Sequence, residues 1–82
     1  LTDLEKRAMK LLPPIRYAQN TWHEDRAKWL HRLGEKQPDW KLTAHEQADL
    51  WFLIWHYRRQ VDDAPVIGQA NEVQNGQVAL RF

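Results

Sequence analysis

The residues that could do chemistry are four histidines, His23, His31, His45 and His56, and the carboxylates Glu24, Asp25, Glu46 and Asp49. His45-Glu46-Gln47-Ala48-Asp49 begins as a zinc-binding helix would, but that chemistry needs a second histidine four residues on, where both rings share one helical face. Asp49 stands there instead, and two ligands are too few for a site. The chain has neither cysteine nor serine. Disulfides, thiolate metal sites and the usual nucleophiles are thereby excluded. The carboxylates fall in the first or second turn of expected helices, where the helix dipole favours negative charge. No catalytic residue, metal site or cofactor is assigned, and the chain is read as non-enzymatic.

Binding chemistry is better represented. Net charge is only +1, but it is unevenly spread. Residues 1–61 hold eleven Lys/Arg against eight Asp/Glu, whereas residues 62–82 hold Arg81 against Asp62, Asp63 and Glu72. A mildly basic helical part permits contact with nucleic acid without demanding it. The candidate residues are Arg26, Lys28 and Arg32 on one helix and Arg58 and Arg59 on another. In an antiparallel pair, Arg26, Arg58 and Arg59 are expected to cluster, with Trp29 and Tyr57 interleaved for stacking on bases. The chain also carries five tryptophans in 82 residues. A small core gains much buried area from such side chains, yet Trp and Arg also dominate binding hot spots.

Three helix starts position these residues. Thr2-Asp3-Leu4-Glu5, Thr21-Trp22-His23-Glu24 and Thr43-Ala44-His45-Glu46 each read as a capping box, threonine and glutamate satisfying each other's free N–H groups. The first helix is expected over Leu4–Leu12, ended by Pro13-Pro14, with Ile15 and Tyr17 packing back from the connector. The second is expected over Trp22–Leu33, with Trp22, Trp29, Leu30 and Leu33 as its apolar stripe and Gly34 as a left-handed cap. Trp40 and Leu42 in the following loop are expected to plug the end of the helix pair. The third helix is expected from Ala44 to Gln60 or Val61. Its run Leu50-Trp51-Phe52-Leu53-Ile54-Trp55 is apolar on every side, so it must be covered on more than one face. The cover is the C-terminal segment, a second copy, or a partner.

Residues 62–82 change character. Asp62-Asp63-Ala64-Pro65 reads as a break, and Asn75-Gly76 is the strongest short hairpin signal available. Paired across it, Val73, Val78, Leu80 and Phe82 share one face that would dock on the third helix. The expectation is thus a mainly α, compact three-helix domain over 1–61, with helices 2 and 3 antiparallel and a C-terminal β-hairpin or extended arm over 62–82. The longest wholly apolar run is Leu50–Trp55, far short of a membrane span. Leu1-Thr2-Asp3-Leu4-Glu5-Lys6-Arg7 lacks the apolar region of a signal peptide, and a cytoplasmic location is expected.

Two resemblances bear on function. Gln77-Val78-Ala79-Leu80-Arg81-Phe82 resembles the short peptide by which many bacterial DNA-processing proteins grip the replicative sliding clamp. On that likeness Gln77, Leu80 and Phe82 would be docking residues, in competition with the hairpin. Leu42-Thr43 through Leu50-Trp51 and Tyr57-Arg58-Arg59-Gln60 resembles a pattern in small proteins of bacteriophages and mobile elements, which implies an accessory protein that acts by binding.

The expectation is a non-enzymatic interaction module whose protein partner belongs to nucleic-acid metabolism, such as replication or repair machinery, or to phage–host interplay. Trp51, Trp55, Tyr57, Gln77, Leu80 and Phe82 are its interface candidates. Direct nucleic-acid binding through the basic residues is the alternative. A structural homodimer sealed through the Leu50–Trp55 face is another.

Overall fold

Residues 1–79 are described by the computed structural model, with side chains through Asn75. Two of the three threonine boxes start helices as expected. The Thr2 hydroxyl accepts from the Glu5 N–H at 3.1 Å while the Glu5 carboxylate accepts from the Thr2 N–H at 2.7 Å, opening α1, Asp3–Leu11. Thr43 and Glu46 repeat the exchange at 3.2 and 2.9 Å, opening α3, Ala44–His56. A 3₁₀ turn, Arg58–Gln60, continues from α3.

The third box does not form. Asn20 turns the chain in the left-handed region at φ 61°. The Thr21 hydroxyl then donates back to the Ala18 carbonyl at 2.8 Å. α2 begins at His23 and runs to Lys36, with Trp22 as a cap that makes no side-chain bond. It continues through Gly34, so that glycine is not a left-handed cap. Its role is close approach: a Cβ placed there would lie 2.7 Å from the Met9 sulfur on α1. The buried stripe of α2 is His23, Ala27 and Leu30. Trp22 and Trp29, expected in the core, face solvent instead.

The expected C-terminal β-hairpin is corrected to a helix. Ala64–Ala79 forms α4, and no strand occurs among the described residues. Asp63 supplies the start: its carboxylate accepts from the Val66 N–H at 3.3 Å and its carbonyl from the Ile67 N–H at 3.0 Å. Pro65 sits in the first turn, where a missing N–H costs nothing. Val66 and Ala70 are fully buried and Val73 partly so, a stripe at helical spacing. Asn75, expected in a turn, donates instead to Asn71 one helical turn back at 3.2 Å. The architecture among the described residues is therefore four α-helices rather than three plus a hairpin.

α4 packs chiefly on α3 and also touches α1. It covers the side of α3 that α1 and α2 leave bare, so the segment expected to seal the apolar run does so as a helix. Met9, Leu12, Leu30, Leu50, Leu53, Ile54 and Val66 form the fully buried centre. Arg7 of α1 grips Asp63 through paired contacts of 2.7–3.1 Å, fixing the α4 start against α1. Ile15 is buried and Tyr17 half-buried, as expected of the connector. Gln60 holds that connector by both its amide atoms, accepting from the Arg16 N–H and donating to the Arg16 carbonyl. The radius of gyration is 12.1 Å, close to the value of about 12 Å for a compact single domain of this length. No described helix is long and apolar enough to cross a membrane.

Candidate functional site

α2 and α3 run antiparallel, which sets the start of α2 beside the end of α3. One solvent-facing stripe of α2 carries Trp22, Arg26 and Trp29, spaced four and three residues apart. Across the seam, α3 presents His45, Asp49, Phe52 and His56 at the same periodicity. The two stripes meet at Trp22 and at Arg26. The Trp22 and Phe52 rings lie 5.4 Å apart between centroids, and Phe52 stacks on His56 at 5.3 Å and 20°. The Arg26 Nε donates to the Asp49 carboxylate at 2.8 Å, which also lies 3.5 Å from the His45 ring nitrogen. The Arg26 guanidinium sits 4.4 Å over the Trp29 ring.

Trp40 is tied to the far end of this face. Leu42 is buried, as expected of a plug, but Trp40 is not; its indole N–H donates to the Glu46 carboxylate at 3.2 Å. Glu46 is held below the usual carboxylate range, mainly by the Thr43 backbone N–H, with the Trp40 indole, the Thr43 hydroxyl and the charge of Arg26 assisting and burial opposing. Trp22, Trp29 and Trp40 are 50%, 41% and 41% exposed, and they are the large exposed hydrophobic side chains among the described residues. Exposing three indoles while other residues fill the core is what a recognition surface requires.

Beneath the Trp22 end lies a buried polar contact. The His23 Nδ1 is 2.7 Å from the Tyr57 hydroxyl, which accepts from the Ala18 N–H at 2.9 Å. Burial pushes the His23 pKa down, and the neighbouring His56 adds to the effect.

The residues picked out from sequence fall in several places. Trp51 and Tyr57 are 3% and 8% exposed and belong to the core. Trp55 is half-buried under the Arg58 guanidinium, 4.2 Å above its ring. The Gln77 side chain, Leu80 and Phe82, the docking positions of the clamp-like peptide, lie outside the described residues. Arg26 and Arg58 engage different indoles rather than one common cluster, and Arg59 is exposed. Lys28 pairs with Glu24 at 3.2 Å on the other side of α2. Arg32 lies on that side as well. The sequence signal for the aromatic face was the tryptophan count together with Ala27, whose small side chain lies one position away from the expected stripe.

Among the described residues no three His, Asp or Glu side chains gather as a metal would require. No known protein family, curated protein or solved structure matches the chain. What the arrangement offers chemically is apolar burial, ring stacking and a few fixed charges.

Proposed function

We propose that this chain is a non-enzymatic binding module that recognises a protein partner through the α2–α3 aromatic face. The observation that carries this reading is the solvent-facing row of Trp22, Arg26 and Trp29, with Trp22 against Phe52 and Arg26 on Asp49, and the exposed Trp40 joined to Glu46 in the first turn of α3. Indoles and arginine are the side chains that dominate protein–protein hot spots. The Asp49 contact holds Arg26 in place, so little side-chain freedom is lost when a partner lands on it. The same contact counts against phosphate binding, since the cation facing the indoles already has its carboxylate. The likeness of residues 42–60 to phage and mobile-element proteins supports an accessory role, with a partner in nucleic-acid metabolism or phage–host interplay.

The test is affinity capture from bacterial lysate with the wild-type chain and with a Trp22→Ala, Trp29→Ala, Trp40→Ala variant. The expected result is a protein that resists high-salt washing on the wild type and is lost from the variant, whose melting temperature is little changed. Capture of nucleic acid alone, released as salt rises, would favour the alternative, because phosphate contacts weaken steeply with salt. Identical capture by both chains would remove the aromatic face from consideration.

A further inference from the structure

The opposite side of α2 carries a groove that the aromatic face does not use. It lies between α2 and the connector after α1 and encloses about 370 Å³, within the size range of small-molecule sites, roughly 300–1,000 Å³. Its floor is apolar: Leu12, Ile15 and Ala27 are all buried. Tyr17 forms part of the wall and is pinned there, its hydroxyl donating to the Leu12 carbonyl at 2.6 Å. Burial raises the Tyr17 pKa far above its ordinary value, with Tyr57 and Glu24 adding to the effect, so the wall stays neutral.

The mouth of the groove is cationic. Lys28 and Arg32 stand along α2 on either side of His31, with Glu24 as the opposing charge. Lys28 holds Glu24 at 3.2 Å, but both side chains are more than half exposed, and such a pair is worth little and is readily exchanged. His31 is tied to Glu35 at 2.9 Å. Arg32 makes no ion pair among the described residues. A second groove of about 270 Å³, lined by Lys6, Met9, Lys10 and Gly34, adjoins the first at His31. An apolar floor beneath an uncommitted guanidinium defines a complementary ligand.

We propose that this groove binds a small amphipathic anion, an aromatic or aliphatic body carrying one carboxylate, with the body on Leu12, Ile15 and Ala27 and the carboxylate on Arg32. The guanidinium fork suits that head group, since it matches a carboxylate with two parallel N–H donors. Lys28 assists once Glu24 yields it. The site is independent of the aromatic face and stands or falls without it.

Naphthoate is the probe, titrated into the wild-type chain and followed by backbone amide NMR. Saturable shifts are expected at Tyr17, Ala27 and His31. Arg32→Gln should weaken binding about fivefold, as loss of a partly exposed ion pair does. Neutral naphthylmethanol should bind more weakly than naphthoate by a similar factor. Trp22→Ala with Trp29→Ala should leave the affinity unchanged. The proposal is overturned by an absence of saturable shifts, by shifts centred on Trp22 and Phe52, or by an affinity indifferent to Arg32→Gln.

Discussion

The hydroxyl of Tyr57, at the end of α3, lies 2.7 Å from the Nδ1 of His23, in the first turn of α2. The same oxygen accepts from the Ala18 N–H at 2.9 Å, so it joins the connector to the start of α2. Burial, with His56 beside it, favours the neutral ring of His23. Tyr57→Phe should cost about 1–3 kcal/mol, because it leaves the buried imidazole nitrogen unpaired and the Ala18 N–H without its protein acceptor. Urea denaturation of the two proteins measures it.

That neutrality also gives stability a pH dependence. The folded-state pKa of His23 lies below its ordinary 6.5, so the unfolded chain binds the proton more readily. Stability is then full above the unfolded pKa and falls as the solution is acidified below about 6.5. A His23→Gln variant should be less stable at neutral pH but show a flatter acid limb down to about pH 5, where carboxylates take over. Melting temperatures across that window decide it.

The two threonines that look alike in sequence should behave differently. Thr43→Ala removes a hydroxyl that caps α3 and should cost about 1 kcal/mol. Thr21→Ala removes a bond across an exposed turn and a long 3.3 Å contact from the His23 N–H, without the reciprocal carboxylate of a capping box, and should cost less than about 0.5 kcal/mol. Equal losses in chemical denaturation would contradict the assignment of the caps.

Two helical glycines make an opposed pair. Gly68, in α4, has no heavy atom within 4 Å of where a Cβ would stand. Gly68→Ala should gain about 0.5–1 kcal/mol from helix propensity. Gly34→Ala would gain the same but must displace the buried Met9 sulfur, and overpacking of this kind costs about 1–3 kcal/mol. The net expectation for Gly34→Ala is a loss of about 1 kcal/mol, read by thermal melts alongside Gly68→Ala.

Asp63 both caps α4 and receives Arg7. Asp63→Ala should lose about 1–2 kcal/mol, the sum of a missing cap and a broken ion pair. Arg7→Ala leaves the cap in place and removes a side chain that is half exposed; its loss should stay under about 1 kcal/mol. Hydrogen exchange in the first turn of α4 should quicken in the Asp63 variant well beyond the Arg7 variant.

The helical layout was legible where one local interaction decided it. Thr2 with Glu5 and Thr43 with Glu46 needed nothing beyond their own turn. Thr21 with Glu24 has the same letters, but Asn20 makes a left-handed turn just before, and the threonine hydroxyl reaches the His23 N–H and the Ala18 carbonyl instead of entering a reciprocal box with Glu24. Residues 64–79 carried two conflicting local signals. Asn75-Gly76 favoured a hairpin, whereas Asp63 followed by Pro65 and the spacing of Val66, Ala70 and Val73 favoured a helix. The helix prevails because α3 offers an apolar face that such a stripe can fill. The aromatic face was hidden by a shift of one position: Ala27 and Gly34 let α2 approach α1 closely, which turns Trp22 and Trp29 outward.

The distribution of the indoles gives the molecule its own internal optics. Trp51 is sealed in the core while Trp22, Trp29 and Trp40 face water and Trp55 is half-buried between these extremes, so emission from the folded chain superposes a short-wavelength and a long-wavelength component. Trp22 lies against His23 and Phe52, where a protonated imidazole would quench it, while Trp51 reports only on loss of the core. A ligand landing on the aromatic face would dim or shift the red component and leave the blue one untouched. Unfolding would erase the blue component first and merge the two. A single tube of this protein thus distinguishes binding from denaturation without any added dye.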